Sequence, residues 1–348
     1  MQIKFKNVHI DSITSVFPEQ KLTSLEVEAL LEPVYKRLKL IPGRLELMTG
    51  IIERRLWPAD ILPSTIAAQA GRRALEKSAV NPAHIECLIN TSVCRDTLEP
   101  ATANMVHSIL KLPAHTMVFD ISNACLGFMN GMLTAANLIE TGVIKAALIT
   151  AGENGAPLYQ GTVNQALNDP LVTRKSFKKY FASLTIGAGA CACVLTHSSL
   201  SDKGPQLLCG YARNSTKDCS LCVGDSPKIP APGLLMETDA EELLIRGIEL
   251  ARSTWQGFTE FSGLKKTDFD HFFCHQVGSI HRKKLYESLD LPIEKDFSTF
   301  NYYGNMGSVS LPATFAMGLE DIPVKKGQTC ALLGIGSGIN SIMTALRA

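Results

Sequence analysis

The chain has 348 residues, 45% hydrophobic and 19% charged, with a formal net charge of +1. That is enough apolar material for one large domain or two medium ones. Near-neutral charge supplies no bulk attraction to nucleic acid or an acidic membrane surface, so neither is expected as a partner.

The opening residues MQIKFKNVHI lack the long apolar run of a secretion signal. The ten scattered cysteines then read as reduced thiols, mostly packed as small hydrophobes, and a cytoplasmic location is expected. Cys219 and Cys222 form one CxxC, without the second pair that a structural zinc site needs, so no metal is expected. Two uncharged runs, Ile121–Ile139 and Gly327–Leu346, are long enough to span a membrane, but their amides and glycines favour buried segments over a membrane span.

In chain order, His84–Val93 is an apolar run suited to a buried strand. Ala101–Lys111 has helical spacing at Met105, Ile109 and Leu110, and Met117–Ile121 is a second strand followed by a helical stretch. Ile144–Ala151 is a third strand. Residues Asn154–Leu184 show no clear periodicity and are expected to be an insertion covering a site or an interface. A second series begins near residue 205. Thr238 and Glu241 form a capping box ahead of a helix with Leu244, Ile248, Ala251 and Trp255 on one face. A strand at His271–Val277, a helix near Ile280–Leu289, a turn at Gly304–Gly307 leading into Ser308–Leu319, and two apolar runs complete the pattern.

This succession predicts an α/β fold with a parallel or mixed sheet covered by helices. GAGACACVLTHS at Gly187–Ser198 and GIGSGINSIMTALR at Gly334–Arg347 are each a small-residue turn feeding an apolar strand. They point to a duplicated unit, with halves at residues 1–204 and 205–348.

The chemistry concentrates in VFDISNACLGFMNGMLTAANLI, Val118–Ile139. Met129, Met132, Leu133, Ala136 and Ile139 share a helical face, which puts Cys125 at a strand-to-helix turn. Free N–H groups and the helix dipole there stabilise a thiolate, and such settings lower a thiol pKa of ~8.5 by about one to several units. A buried structural cysteine is the alternative. His275 ends the apolar run FFCHQVG, and Asn305 lies between glycines in NYYGNMGS; alone, each reads as a core, loop or turn residue. Together, a cysteine, an imidazole and a carboxamide can hold an acyl group and donate hydrogen bonds to one oxygen. The setting of Cys125 lacks the C-G-[SA]-C-[WY] context of papain-like proteases.

These motifs, with TGIIERR at Thr49–Arg55, CHQVGSIH at Cys274–His281 and GIGSGIN at Gly334–Asn340, resemble the thiolase superfamily over essentially the full length. The branch is that of β-ketoacyl-acyl-carrier-protein synthase III. Within it the chain is most similar to the long-chain olefin-biosynthesis condensing enzymes of the OleA type. The clue is Glu99 in VCRDTLEPATA, where ordinary synthase III proteins have the PATA segment without the glutamate; FASLTIGAGA at Phe181–Ala190 also departs from their FGDGAGA.

The resemblance implies a thiolase-like fold of duplicated αβαβα five-layered halves with pseudo-twofold symmetry, a homodimer, and an acyltransferase with no cofactor beyond acyl-CoA as substrate. It also implies roles. Cys125 carries the acyl group, His275 and Asn305 stabilise an enolate oxygen, and Glu99 reaches into the partner's site as the base. Without the resemblance, Glu99 reads as a solvated helix-entry residue. The oxyanion hole falls to the N–H groups of Cys125 and Ile335, and Gly336, like Arg54 and Arg55, is a candidate substrate-binding residue. Arg54, Arg55 and the cluster Arg174–Lys179 are candidates for CoA phosphates or an acidic acyl-carrier protein, or simply surface charge. The implied reaction is condensation of two acyl-CoA molecules. The rivals are a decarboxylative synthase using malonyl-carrier protein, in which Glu99 is incidental, and a non-catalytic partner of a ketosynthase heterodimer, which retention of all three residues opposes.

Overall fold

The strand Ala146–Glu153 shows how the sequence builds the interior. Ala147, Ile149 and Ala151 pack into one apolar cluster, while Ala146 and Leu148 pack into another on the opposite face. A strand buried on both sides is apolar at nearly every position, as AALITA is apart from Thr150. The computed structural model, which describes residues 1–224, 236–275, 277–322 and 324–348, places this strand in an 11-stranded mixed sheet.

The sheet is made of two sets of five strands. The first comprises Val8–Val16, Cys87–Asn90, Met117–Asp120, Ala146–Glu153 and Gly189–His197. The second comprises Gln206–Asn214, His271–Cys274, Asp296–Phe297, Thr329–Gly336 and Asn340–Arg347. Numbered by chain order within its set, each has the spatial order third, second, fourth, fifth, first. The directions repeat too: the third, second and fourth strands are parallel, and the fifth is antiparallel to both its neighbours. The two first strands meet through a single pair, His9 with Gln206. The short strand Gln2–Lys4 adds to Gln206–Asn214.

Helices complete five layers across the pair of sets. Pro63–Lys77 and Thr102–Leu110 cover one outer face, and Ala240–Ser262 and Ser279–Leu289 cover the other. The middle layer is formed by Gly127–Glu140 and Ser310–Asp321, whose side chains pack against strands of both sets. Burial of a Phe, Leu or Met side chain stabilises by roughly 1.5–3 kcal/mol. The stripe Phe128, Met129, Met132, Leu133 and Ile139 therefore anchors the helix that follows Cys125.

Most predicted elements appear, with shorter strands. The helix expected after a Thr238 cap is instead capped by Asp239, whose side chain accepts from the Glu242 N–H at 3.2 Å. Thr238 is committed elsewhere: it ends the strand Met236–Thr238, and its hydroxyl donates to Cys222 Sγ at 3.4 Å. The strand expected at His271–Val277 stops at Cys274, and Gln276 lies outside the described residues. The segment read as aperiodic is helical at Ala156–Asn168, Arg174–Lys178 and Phe181–Leu184. Its stripe of Ala156, Tyr159, Val163 and Ala166 packs with Val27, Leu31 and Tyr35 in a separate core. Of the two uncharged runs, the first contains a buried helix and the second two paired strands. No helix among the described residues is long and apolar enough to cross a membrane.

Candidate active site

Cys125 lies between the third strand of the first set and the central helix Gly127–Glu140. The turn is tight. Leu126 N–H donates to Asn123 O at 2.9 Å, Gly127 N–H donates to Ala124 O at 3.2 Å, and Ala124 has φ +44°. A left-handed alanine is strained and persists where its surroundings hold it. One constraint is Gly127, where a Cβ would meet Thr91 O at 2.4 Å. Only glycine lets the helix start this close to the second strand's end.

A second loop abuts the cysteine. A Cβ on Gly336 would lie 3.5 Å from both Cys125 N and Cys125 Cβ. Asn340 Nδ2 donates to Asn123 Oδ1 at 3.0 Å, and Asn123 Nδ2 donates to Asn130 Oδ1 at 2.7 Å. These carboxamides fasten the Gly-rich turn of one strand set to the cysteine turn of the other. Gly336 is therefore the residue of that turn set against Cys125. Ile335 sends its side chain toward Gly247 in the outer helix, 3.1 Å from where a Cβ would be.

The thiol is partly exposed but densely surrounded. Its pKa is pushed up to about 12, first by burial, then by Cys222 and Glu153, with only its own backbone N–H opposing. The expected depression at a helix start does not hold, because desolvation and two nearby acidic groups outweigh the helix end. In the free protein the sulfur is a thiol, and its use as a nucleophile would require loss of that proton.

His275 follows the second strand of the other set, and its N–H donates to Leu333 O at 3.0 Å. It is 8% exposed, and burial pulls its pKa down to about 4, with His281 adding to the effect. The ring is neutral at physiological pH. Its Nδ1 is buried without a hydrogen-bond partner among the described residues.

Asn305 occupies the turn before the second central helix. Its N–H donates to Thr185 O and its O accepts from Gly187 N–H, both at 2.9 Å. The end of the helical insertion thus forms the wall behind this turn. Asn305 Oδ1 accepts from Gly307 N–H at 3.1 Å and Ser310 Oγ at 3.3 Å. With the oxygen engaged, the NH2 side of the amide remains to donate outward.

Cys125, His275 and Asn305 all follow the carboxyl ends of parallel strands, where open α/β sheets bind ligands. Sequence reasoning missed one group at this end. Glu153, the last residue of a wholly buried strand, is 4% exposed and accepts from Val93, Cys94 and Ser308. A carboxylate closing an otherwise uncharged, buried strand was the legible signal.

Glu99 is not gathered into this cluster within one chain. It sits exposed on the loop before helix Thr102–Leu110, next to Leu98, which is 91% exposed. Arg54 is a correction. It is fully buried, donates to Ser24 Oγ at 3.0 Å and Leu22 O at 3.4 Å, and cannot reach an external phosphate. Burial lowers its pKa to about 10. Arg55 stacks 5.0 Å over the Tyr303 ring and donates to Pro18 O. In the basic cluster, Arg174 binds Leu38 O and Lys39 O, while Lys178 and Lys179 pair with Glu241 and Glu237. Cys219 is exposed, and no metal-binding group of His, Cys, Asp or Glu occurs among the described residues.

The arrangement agrees with known proteins. The model of 3-oxoacyl-(acyl-carrier-protein) synthase III matches residues 119–168, and that of its C-terminal part matches 259–348. The acyl-CoA:acyl-CoA alkyltransferase of Xanthomonas campestris is 38% identical over 97% of this chain and 98% of its own. A crystal structure of X. campestris OleA with bound lauric acid and lauroyl-CoA superposes with a TM-score of 0.93 at 37% identity, covering 99% of this chain and 100% of that one. The alkyltransferase of Shewanella oneidensis is 36% identical over 99% of this chain and 100% of its own. On this full-length likeness, the chain belongs to the OleA family of acyl-CoA:acyl-CoA alkyltransferases, within the thiolase superfamily.

Proposed function

We propose that the protein joins two fatty acyl-CoA molecules head to head through an acyl-cysteine. The first acyl-CoA loses CoA as its acyl carbon bonds to Cys125 Sγ, and the thiol proton leaves with the CoA sulfur. The second binds with its thioester oxygen toward His275 and Asn305. Removal of its α-proton gives an enolate held by those two neutral groups. The α-carbon then attacks the acyl-cysteine, releasing the Cys125 thiolate and forming a 2-alkyl-3-ketoacyl thioester. Donors fixed in advance at a developing oxyanion give the largest single contribution to such chemistry. The observation that carries the reading is the preset amide of Asn305, its oxygen engaged by Gly307 and Ser310, paired with a neutral buried imidazole.

Glu99 is the base in this reading, and it acts in the site of a second copy. Its loop carries apolar side chains outward at Val93 and Leu98, and Met105, Ile109 and Met117 continue that exposed surface beside the sheet's edge strand Met117–Asp120. An unpaired edge flanked by apolar side chains supports a homodimer through this face. Proton abstraction by Glu99 separates this function from malonyl decarboxylation, which needs no such base.

The test supplies long-chain acyl-CoA alone and measures CoA release and the β-keto product by mass spectrometry. Wild-type protein should form product, and Glu99→Gln should acylate Cys125 yet lose condensation by about 10²–10⁴-fold. Product only with a malonyl donor, unaffected by Glu99→Gln, would establish the decarboxylative reaction instead.

A further inference from the structure

Glu153 is the acidic side chain that the reaction above leaves unused. Its strand turns Ala147, Ile149 and Ala151 toward the middle layer, and the same alternation points Glu153 there, at the level of the site. Among the described residues it has no salt bridge. It faces only donors: Oε1 accepts from Val93 N–H at 2.8 Å, Ser308 Oγ at 2.7 Å and Ser308 N–H at 3.3 Å, and Oε2 accepts from Cys94 N–H at 3.0 Å. A carboxylate satisfies such a ring; an amide would aim an NH2 group at an N–H.

The donors come from two loops that do different work. Val93 and Cys94 open the segment that leads to Glu99. Ser308 belongs to the 3-10 turn Gly307–Val309, and the Gly307 N–H holds the Asn305 amide. Gly307 is packed on the carboxylate itself, since a Cβ there would meet Glu153 Cδ and Oε1 at 3.3 Å.

We propose that Glu153 is a positioning residue for the condensation step, fixing the loop that presents Glu99 and the turn that presents Asn305 to one another through a single carboxylate. The inference rests on the acyl-CoA condensation reading. It has a consequence for the dimer. Asn305 serves its own site and Glu99 serves the partner's, so this carboxylate mechanically joins the two sites. Loading of Cys125 uses neither loop's reacting group, so the two half-reactions should respond differently to loss of Glu153.

The experiment uses the full chain and lauroyl-CoA as probe. Intact-mass spectrometry gives the rate and stoichiometry of Cys125 acylation, and product analysis gives condensation per acylated site. For Glu153→Gln, condensation per acylated site should fall by roughly thirtyfold or more, the scale for a buried charged hydrogen-bond acceptor replaced by a mismatched group, while acylation should not fall, because the Glu153 charge raises the Cys125 pKa. Glu153→Asp should recover part of the loss. Ser308→Ala keeps the carboxylate and removes one donor, so it should cost condensation about three- to tenfold with acylation unchanged. Equal loss of both half-reactions, or no loss, overturns the proposal, and Ser308→Ala decides by the same criterion if Glu153→Gln does not fold. A wild-type protein that acylates but never condenses would refute the underlying reading instead, before any variant is compared.

Discussion

The two strand sets share an order, a set of directions and a place for a central helix, and differ in what they hang on that frame. After its third strand the first set places Cys125, while the second places Asn305. Between fourth and fifth strands the first set carries the helical insertion 154–188, whereas the second turns through 337–339. Each difference serves the opposite set. Thr185 and Gly187 hold the Asn305 turn, and Gly336 lies against Cys125. Chemistry therefore diverged in the loops at the carboxyl ends of the strands, while the strands kept the two sets aligned.

In the proposed reaction, the sharpest division between the sets is nucleophile against oxyanion donor. Cys125→Ala should remove both the acyl adduct and the product, a loss of at least about 10³-fold. Asn305→Ala should leave the adduct intact on mass spectrometry and slow condensation by about 10²-fold, the cost of one oxyanion donor. If Asn305→Ala also prevented acylation, the division of labour would collapse. The contact of the short turn with the cysteine is tested by Gly336→Ala, whose Cβ would crowd Leu126 Cγ at 3.1 Å. Acylation should slow by roughly tenfold, because a displacement of under an ångström misaligns attack.

The histidine supplies a pH signature. Its folded pKa of about 4 lies below the ordinary 6.5, so between these values the unfolded chain binds more protons. The stability contributed by neutral His275 is complete above pH 6.5 and is lost as pH falls toward 4. Urea midpoints at pH 7 and pH 5 should differ less in His275→Asn than in wild type. An unchanged difference would show that the ring is not buried neutral. The smallest effect belongs to Lys175, the lysine of the basic cluster whose side chain makes no ion pair or hydrogen bond among the described residues. Lys175→Ala should change the KM for acyl-CoA by less than about twofold, the ordinary weight of an exposed charge.

Much of the frame was legible because two-sided burial leaves continuous apolar runs, as at Ala146–Ala151, and central helices leave wide stripes, as at Met129–Ile139. The cysteine, histidine and asparagine stood out because each interrupts such a pattern at an element's end. The helicity of the insertion was missed because Asn, Gly, Gln and Thr separate its stripe of Ala156, Tyr159, Val163 and Ala166, so helicity there rests on packing against Val27 and Leu31. Arg54 misled because a doublet of arginines looks solvated, and only its strand pairing with Leu22 reveals that alternate side chains point inward. The thiol's raised pKa depends first on burial and then on Cys222 and Glu153, which are distant in sequence. The outward position of Glu99 depends on a loop, which periodicity does not encode.

The amide link from Asn340 to Asn123 bears on how the molecule is made. A ribosome emits the thiol early and the strand Asn340–Arg347 much later. That strand must slot between Thr329–Gly336 and Gln206–Asn214 before Gly336 can settle beside the sulfur. Until then the nascent polypeptide has a cysteine but no place for an acyl carbonyl. The contact between the Gly336 turn and the cysteine turn is therefore completed only once that strand is in place.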